Sequence, residues 1–223
     1  MKEQELTNLF ESVYELLKEL ISIPSFSKDE NKTADCIEKF FAKYNIPTHR
    51  EMNNVWAFNQ FYDASKPTIL LNSHHDTVKP NASYTLNPFE PIEKDGKLYG
   101  LGSNDAGGCL VSLIGAFCYF YEKEIPYNLI LAATAEEEVS GKNGIESILN
   151  ELPELELAIV GEPTLMQMAV AEKGLLVIDA TVKGKAGHAA REEGVNAIYK
   201  AMEAIQWFRN YRFPKESETL GTV

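Results

Sequence analysis

Thr68-Ile69-Leu70-Leu71-Asn72-Ser73-His74-His75-Asp76 decides the fold: a short apolar run breaks off into two imidazoles and a carboxylate. Runs of this length, flanked by turn or polar residues, read as strands buried on both faces of a sheet. Asn128 to Ala133 and Leu155 to Val160 repeat the pattern downstream. Between the first and second runs lie the hairpin signal Lys94-Asp95-Gly96-Lys97 and a helix from about Gly107 to Glu124. A shorter helix, around Gly144 to Leu152, separates the second from the third. Strands alternating with helices imply an α/β fold, a largely parallel mixed sheet with helices on both faces, and such sheets hold ligands beyond the carboxyl ends of their strands.

Upstream, Leu6, Leu9, Phe10, Val13, Leu16, Leu17 and Leu20 recur at intervals of three and four, giving a helix with one apolar face that ends before Pro24. Thr33 to Tyr44 gives a second helix, closed by Pro47. From Gly174 onward the texture changes: an alternating strand is expected over Leu175 to Lys183, then a Gly-Lys-Ala-Gly loop and an amphipathic helix from about Val195 to Tyr211. One strand and one helix cannot close a core. The expected division is a domain over 1–174 and the first part of another over 175–223.

Composition narrows the functional classes. An apolar content of 44% with 24% charged residues is that of a globular protein rather than a disordered one. The net charge of -12 repels phosphate backbones and anionic headgroups, which argues against nucleic acid and membrane surfaces as partners. Cys36, Cys109 and Cys118 show no CxxC spacing and read as reduced thiols. The first twenty residues form an acidic amphipathic helix rather than a secretory signal, and the longest apolar run, Cys109 to Tyr121, is too short for a bilayer span of about 20 residues, so a cytoplasmic location is expected.

Chemistry-bearing residues gather where the strands end. His74 and Asp76 alternate in extended chain and share a side, which suits an imidazole ligand whose other ring proton goes to a carboxylate; a plain hydrogen bond between the two fits equally well. Asp105 lies in the glycine-rich turn Gly100-Leu101-Gly102-Ser103-Asn104-Asp105-Ala106-Gly107-Gly108, whose spacing fits neither a dinucleotide nor a Walker loop, and which a helix-capping Asp would also explain. Glu136-Glu137-Glu138 ends the second strand, where three adjacent carboxylates repel unless a cation or shared proton offsets them; a solvated acidic loop is the competing explanation. Glu162, in Gly161-Glu162-Pro163-Thr164, ends the third strand in the same manner. Four such positions at one sheet edge weigh against coincidence. Imidazole with carboxylates suits zinc, cobalt or manganese.

The series Ile23-Pro24-Ser25, Ser73-His74-His75-Asp76-Thr77-Val78, the loop around Asp105, Ala135-Glu136-Glu137-Glu138-Val139, Gly161-Glu162-Pro163-Thr164 and Gly184-Lys185-Ala186-Gly187-His188-Ala189-Ala190 resembles the ordered motifs of the M20 metallopeptidase family. The resemblance implies two Zn2+ ions in the complete site, with Co2+ or Mn2+ as substitutes. His74 and Glu162 would hold one ion, Glu138 the other, and Asp105 would bridge them. Asp76 would orient His74, and Glu137 would be the general base, although Glu136 stands where the family often has Asp and leaves the choice within the triplet open. A cis peptide at Asp105-Ala106 is a further expectation. By the same resemblance His188 lies on a smaller α+β lid and dimerisation domain and supplies an oxyanion-stabilising imidazole; an exposed loop histidine is the alternative.

The activity this resemblance implies is deacylation of a small N-acyl amino acid, most like the acetylornithine deacetylase branch of arginine biosynthesis, by an enzyme homodimeric at full length. By the same resemblance, Ala171-Glu172-Lys173-Gly174 and Gly187-His188-Ala189-Ala190-Arg191 imply N-acyl-ornithine or N-acyl-citrulline rather than succinyl-diaminopimelate or dipeptides. The family supplies a last metal-binding His far downstream, whereas this sequence has none beyond His188. The expectation is therefore a chain truncated in the lid domain that holds one metal better than two. A non-catalytic metal-binding or subunit-interaction fragment is the competing reading.

Overall fold

The computed structural model describes residues 2–188, 190–191 and 193–221. The chain divides into two compact units, Met1–Leu165 and Met166–Val223.

In the first unit, helices α1 (Lys2–Ser22) and α2 (Asn31–Lys43) precede a short hairpin of β1 (His49–Glu51) and β2 (Asn54–Phe58). Strand β3 (Thr68–His74), the small ribbon β4 (Ile92–Lys94) and β5 (Lys97–Tyr99), helix α3 (Gly108–Phe120), strand β6 (Asn128–Thr134), the single turn α4 (Ile145–Ile148) and strand β7 (Leu157–Val160) come next. The main sheet has the order β1-β2-β6-β3-β7. β3 lies parallel to both β6 and β7, while β1 and β2 pair antiparallel and β2 pairs antiparallel to β6. Four of the five strands therefore point the same way, and helices flank a mixed, mostly parallel sheet.

The two faces are set by alternation along the strands. Leu129, Leu131 and Ala133 of β6, with Leu71, Val55 and Ala57, turn toward α1, α2 and α3, where Ile37, Phe41, Leu110, Ile114 and Phe117 are fully buried. The Phe41 and Phe117 rings meet edge to face at 6.0 Å, a geometry favoured by the ring quadrupole. Ile130, Ala132, Leu70 and Trp56 point the other way and are covered by Ile148 and Leu152. Each fully buried Leu, Ile or Phe adds about 1.5–3 kcal/mol over an exposed one, so this double covering is what seats β6 and β3 at the centre.

The hairpin β1–β2 is an element that periodicity does not announce. Its three-residue β1 and mixed-polarity β2 carry no long apolar run, and burial comes from pairing beside β6. The second helix starts a little earlier than its periodicity suggests, and the helix expected around 144–152 is one α turn followed by a 3-10 turn, Leu149–Glu151.

In the second unit, α5 (Ala197–Asn210) is capped by Asn196, whose side chain accepts from the Ile198 amide at 2.9 Å. The strand expected over 175–183 is not formed: these residues make no ladder, and Leu175, Leu176 and Val177 are 89%, 72% and 73% exposed. An alternating sequence becomes a strand only when a neighbour satisfies its backbone, and among the described residues none is paired to it. Lys185 and Val195 form an isolated antiparallel bridge around the His188 loop. Ala189, part of the Gly184–Ala190 motif, lies outside the described residues.

Candidate metal centre

β3, β6 and β7 run in register, His74 opposite Thr134 and Asn72 opposite Val160, so the residues that succeed each strand emerge at one edge. His74, the last residue of β3, is 1% exposed. Its Nδ1 donates to the Asp76 carbonyl at 3.1 Å and lies 3.3 Å from Asp76 Oδ1, which turns Nε2 outward over the edge. There Nε2 meets Asp105 Oδ1 at 3.2 Å, Glu162 Oε1 at 3.7 Å and Glu137 Oε2 at 3.8 Å. Two sets of ligand atoms, His74 with Asp105 and Glu138, and His74 with Glu137 and Glu162, each lie within 4.8 Å of one another.

Asp105 reaches the edge from an unusual turn. The chain passes Gly102 at φ +76°, where a Cβ would sit 2.7 Å from Thr77 Cγ2, and makes a kinked turn over Ser103–Gly107 in which Asp105 is extended (φ -114°, ψ 102°) and the Gly107 amide donates to the Gly102 carbonyl at 2.8 Å, at the head of α3. The Asp105-Ala106 peptide bond is cis, as expected. Glu137 and Glu138 come directly after Glu136, which adopts a left-handed conformation at φ +55°.

The triplet is split by this turn. Glu136 is 5% exposed, its carboxylate accepting from Asn143 Nδ2 at 2.8 Å, while Glu137 and Glu138 face His74 and Asp105. Asp76 lies behind them, fully buried, and accepts from Ser27 Oγ at 2.7 Å and from the amides of Glu137 and Glu138 at 3.1 and 3.2 Å.

This crowding sets the electrostatics. Burial alone would depress His74, but the Asp76 hydrogen bond and charge, with Glu162 and Glu137, outweigh it and raise its pKa to about 9. Burial opposes the charge on Asp76 as well, and hydrogen bonds from His74, Ser27 and the Glu137 amide overcome it, holding the carboxyl below its ordinary range. Glu138 and Glu162 are raised, first by burial and then by neighbouring carboxylates, among them Asp105 and Glu137. Carboxylates pushed upward around one imidazole are a set that a cation would relieve.

The donor set fits a metal ion. Ligand atoms about 2.0–2.2 Å from a tetrahedral zinc stand roughly 3.3–3.6 Å from one another, close to the 3.2–3.8 Å spread around His74 Nε2 and wider than most direct hydrogen bonds. With Nδ1 tied to Asp76, Nε2 is the ring nitrogen free to ligate.

His75 points away from this edge. Nε2 lies 2.9 Å from the Asn53 carbonyl and Nδ1 2.8 Å from Thr33 Oγ1, and burial depresses it to about 4. His49 stacks on Trp56 at 5.4 Å. His188 belongs to the second unit, is exposed, and accepts from the Ala190 amide at 3.2 Å through Nδ1. Ser27 and Glu30 carry no signal in the sequence that marks them as functional. Both precede α2 and read there as ordinary loop and N-cap residues, yet Glu30 makes no side-chain capping bond.

Comparison with known proteins agrees with this geometry. The family model described as peptidase family M20/M25/M40 matches residues 70–221. The chain is 32% identical over 204 residues to acetylornithine deacetylase from Proteus mirabilis, covering 86% of this chain and 53% of the relative. It is 28% identical over 201 residues to succinyl-diaminopimelate desuccinylase from Rickettsia bellii, covering 81% and 51%. A tripeptidase structure from Staphylococcus aureus superposes with a TM-score of 0.59 at 21% identity, over 88% of this chain and 56% of that one. The chain spans about half the length of the curated relatives it matches.

Proposed function

Since the chain belongs to peptidase family M20/M25/M40, whose members are metal-dependent hydrolases, we propose that its sheet-edge centre serves deacylation of a small N-acyl amino acid such as N-acetylornithine. The observation that carries this reading is the convergence of Asp105, Glu137, Glu138 and Glu162 on a single buried imidazole whose far nitrogen is already anchored.

In this reading His74, Asp105, Glu138 and Glu162 are metal ligands, Asp105 being common to two ions; zinc is the ion proposed. Around His74, Glu162 gathers with Glu137 and Glu138 gathers with Asp105, which supports reading these carboxylates and the imidazole as one cluster that would hold the metal. Bound ions would acidify water at the centre and polarise the substrate carbonyl. Asp76 fixes the tautomer of His74 by accepting from Nδ1. Glu137 is the general base: it faces the cluster and is half-exposed, whereas Glu136 is buried and engaged by Asn143. It takes a proton from the attacking water and delivers it to the leaving nitrogen, so the amide bond breaks to a carboxylate and an amine. His188 is proposed to donate to the developing oxyanion. The 1–174 and 175–223 segments are proposed as catalytic and lid parts, with the full-length protein a cytoplasmic homodimer. Among the described residues no helix is long and apolar enough to cross a membrane.

The acetylornithine deacetylase of Proteus mirabilis, at 32% identity, supports an acetyl-ornithine substrate, and desuccinylases that reach 30% bring the succinyl group into the same test. The test is release of free amine from N-acetylornithine, N-acetylcitrulline, N-succinyl-diaminopimelate and dipeptides, with zinc, cobalt or manganese added to metal-free protein. Metal-dependent turnover of the acetyl substrates that disappears in Glu137→Gln supports the proposal. Preference for succinyl-diaminopimelate would move the substrate, and full turnover in Glu137→Gln would remove the base.

A further inference from the structure

Four consecutive backbone amides, Ala135 to Glu138, are each received by a side chain from elsewhere in the fold. Ala135 N donates to Asn54 Oδ1 at 3.0 Å, Glu136 N to Glu30 Oε1 at 3.2 Å, and Glu137 N and Glu138 N to the two Asp76 oxygens. Leaving Asp76 aside as the partner of His74, Asn54 and Glu30 have no role in the proposed reaction. Both are fully buried, and among the described residues Glu30 has no cationic partner within ion-pair distance for the carboxylate it brings into the interior. Such a group is costly to bury unless its lone pairs are filled. They are filled by Lys28 N at 2.6 Å and Glu136 N on Oε1 and by Asn53 Nδ2 at 2.8 Å on Oε2. Although Glu30 occupies the N-cap position of α2, its side chain caps nothing there.

Asn54 is used as completely. Its amide donates to the Asn143 carbonyl at 2.7 Å, and Asn143 in turn holds the Glu136 carboxylate. The left-handed Glu136 is thereby fixed through its own amide, its side chain and the residue before it. A non-glycine residue at positive φ is kept only where its surroundings over-determine it. What this conformation achieves is the split of the triplet, sending the Glu136 side chain inward and Glu137 and Glu138 outward to His74.

We infer that Glu30 and Asn54 are positioning residues that hold the backbone of Ala135–Glu138 so that Glu137 and Glu138 reach the metal centre. The inference rests on the hydrolase reading of that centre. Outer partners of metal ligands change affinity by about 10–100-fold when removed, and these act further back, on the Ala135 and Glu136 backbone that leads into Glu137 and Glu138.

The test is Glu30→Met in the full chain, which removes the acceptor of the Glu136 amide at similar volume, with Asn53→Ala, which removes only the Oε2 donor, carrying the same comparison if the first variant does not fold. Amide hydrogen exchange of the 135–138 segment is measured in metal-free protein, together with the thermal midpoint and zinc affinity by calorimetry. The expected result is about tenfold faster exchange confined to this segment, a thermal midpoint within a few degrees of wild type, and zinc affinity weaker by about tenfold. Unchanged exchange in the segment overturns the inference, as does faster exchange with zinc affinity intact. Exchange that rises across the whole sheet with a collapsed midpoint also overturns it, because Glu30 would then be a general stabiliser. Wild-type protein that takes up no zinc overturns the hydrolase reading and this inference together, whereas zinc uptake that is equal in wild type and variant overturns the inference alone.

Discussion

Replacing Asp76 by Asn changes one atom and should cost metal-free protein about 3 kcal/mol at pH 7, through the loss of charge-assisted bonds and one stranded donor. The carboxylate is fully buried and serves four donors: His74 Nδ1 and the Glu137 amide on Oδ1, Ser27 Oγ and the Glu138 amide on Oδ2. An Asn side chain offers one oxygen. If its NH2 replaces Oδ2, Ser27 can rotate to accept but the Glu138 amide is stranded; if it replaces Oδ1, the Glu137 amide is stranded and His74 must change tautomer. Either way one buried backbone donor is unsatisfied, about 1–3 kcal/mol, and the remaining bonds lose the charge that makes them worth about 1.5–3 kcal/mol each. With a urea m-value of about 2 kcal/mol/M the midpoint falls by about 1.5 M. Two shifts set the pH dependence. Asp76 is depressed, so its contribution is present above 3.8 and disappears as pH falls through its lower folded value; His74 is raised, so its share is complete below 6.5 and fades as pH rises through about 9. Urea unfolding of wild type and variant should therefore show a gap that is widest near neutrality and narrows at both ends. A gap under about 0.5 kcal/mol at pH 7, or one that grows in acid, would show that the Asp76 carboxylate does not anchor these four donors.

His75 is buried neutral with its pKa lowered to about 4, so folding becomes less favourable as pH drops from 6.5 toward 4, on the order of 3 kcal/mol from this group; unfolding curves of His75→Gln should be flatter across that window. In Gly141→Ala the new Cβ would lie 2.0 Å from Glu136 Oε2, so the carboxylate must leave Asn143, and chemical denaturation should register a loss of about 1–3 kcal/mol. Glu137→Gln should leave zinc affinity within about threefold of wild type while removing general-base catalysis, a loss of about 10²–10⁴ in kcat, whereas Glu138→Gln should weaken the ion itself; calorimetry and turnover separate the two.

How far the sequence discloses this molecule depends on how local each signal is. β3 and β6 are apolar runs that need no partner to be recognised, and the residues at or just past the end of β3, His74 and Asp76, can be located by strand alternation alone. The hairpin β1–β2 has no such signature, because its burial is conferred by β6 across 70 or more residues of chain. The 175–183 segment shows the reverse error: alternation is present, but no partner strand is paired to it among the described residues. Glu30 and Asn54 are invisible in the sequence for the same reason as the hairpin, since their hydrogen bonds to 135–138 span 106 and 81 positions. The separation of Glu136 from Glu137 also required the structure, because a left-handed turn inside three identical residues leaves no mark in composition.

Whether His74 and the carboxylates around it hold a metal ion is decided by anomalous diffraction at the zinc edge from zinc-soaked crystals. The expected peak lies about 2.0–2.1 Å from His74 Nε2 and about 2.0–2.2 Å from an Asp105 oxygen. A folded protein with no peak at the sheet edge, or with zinc bound only at His49 or His188, would contradict metal binding by His74.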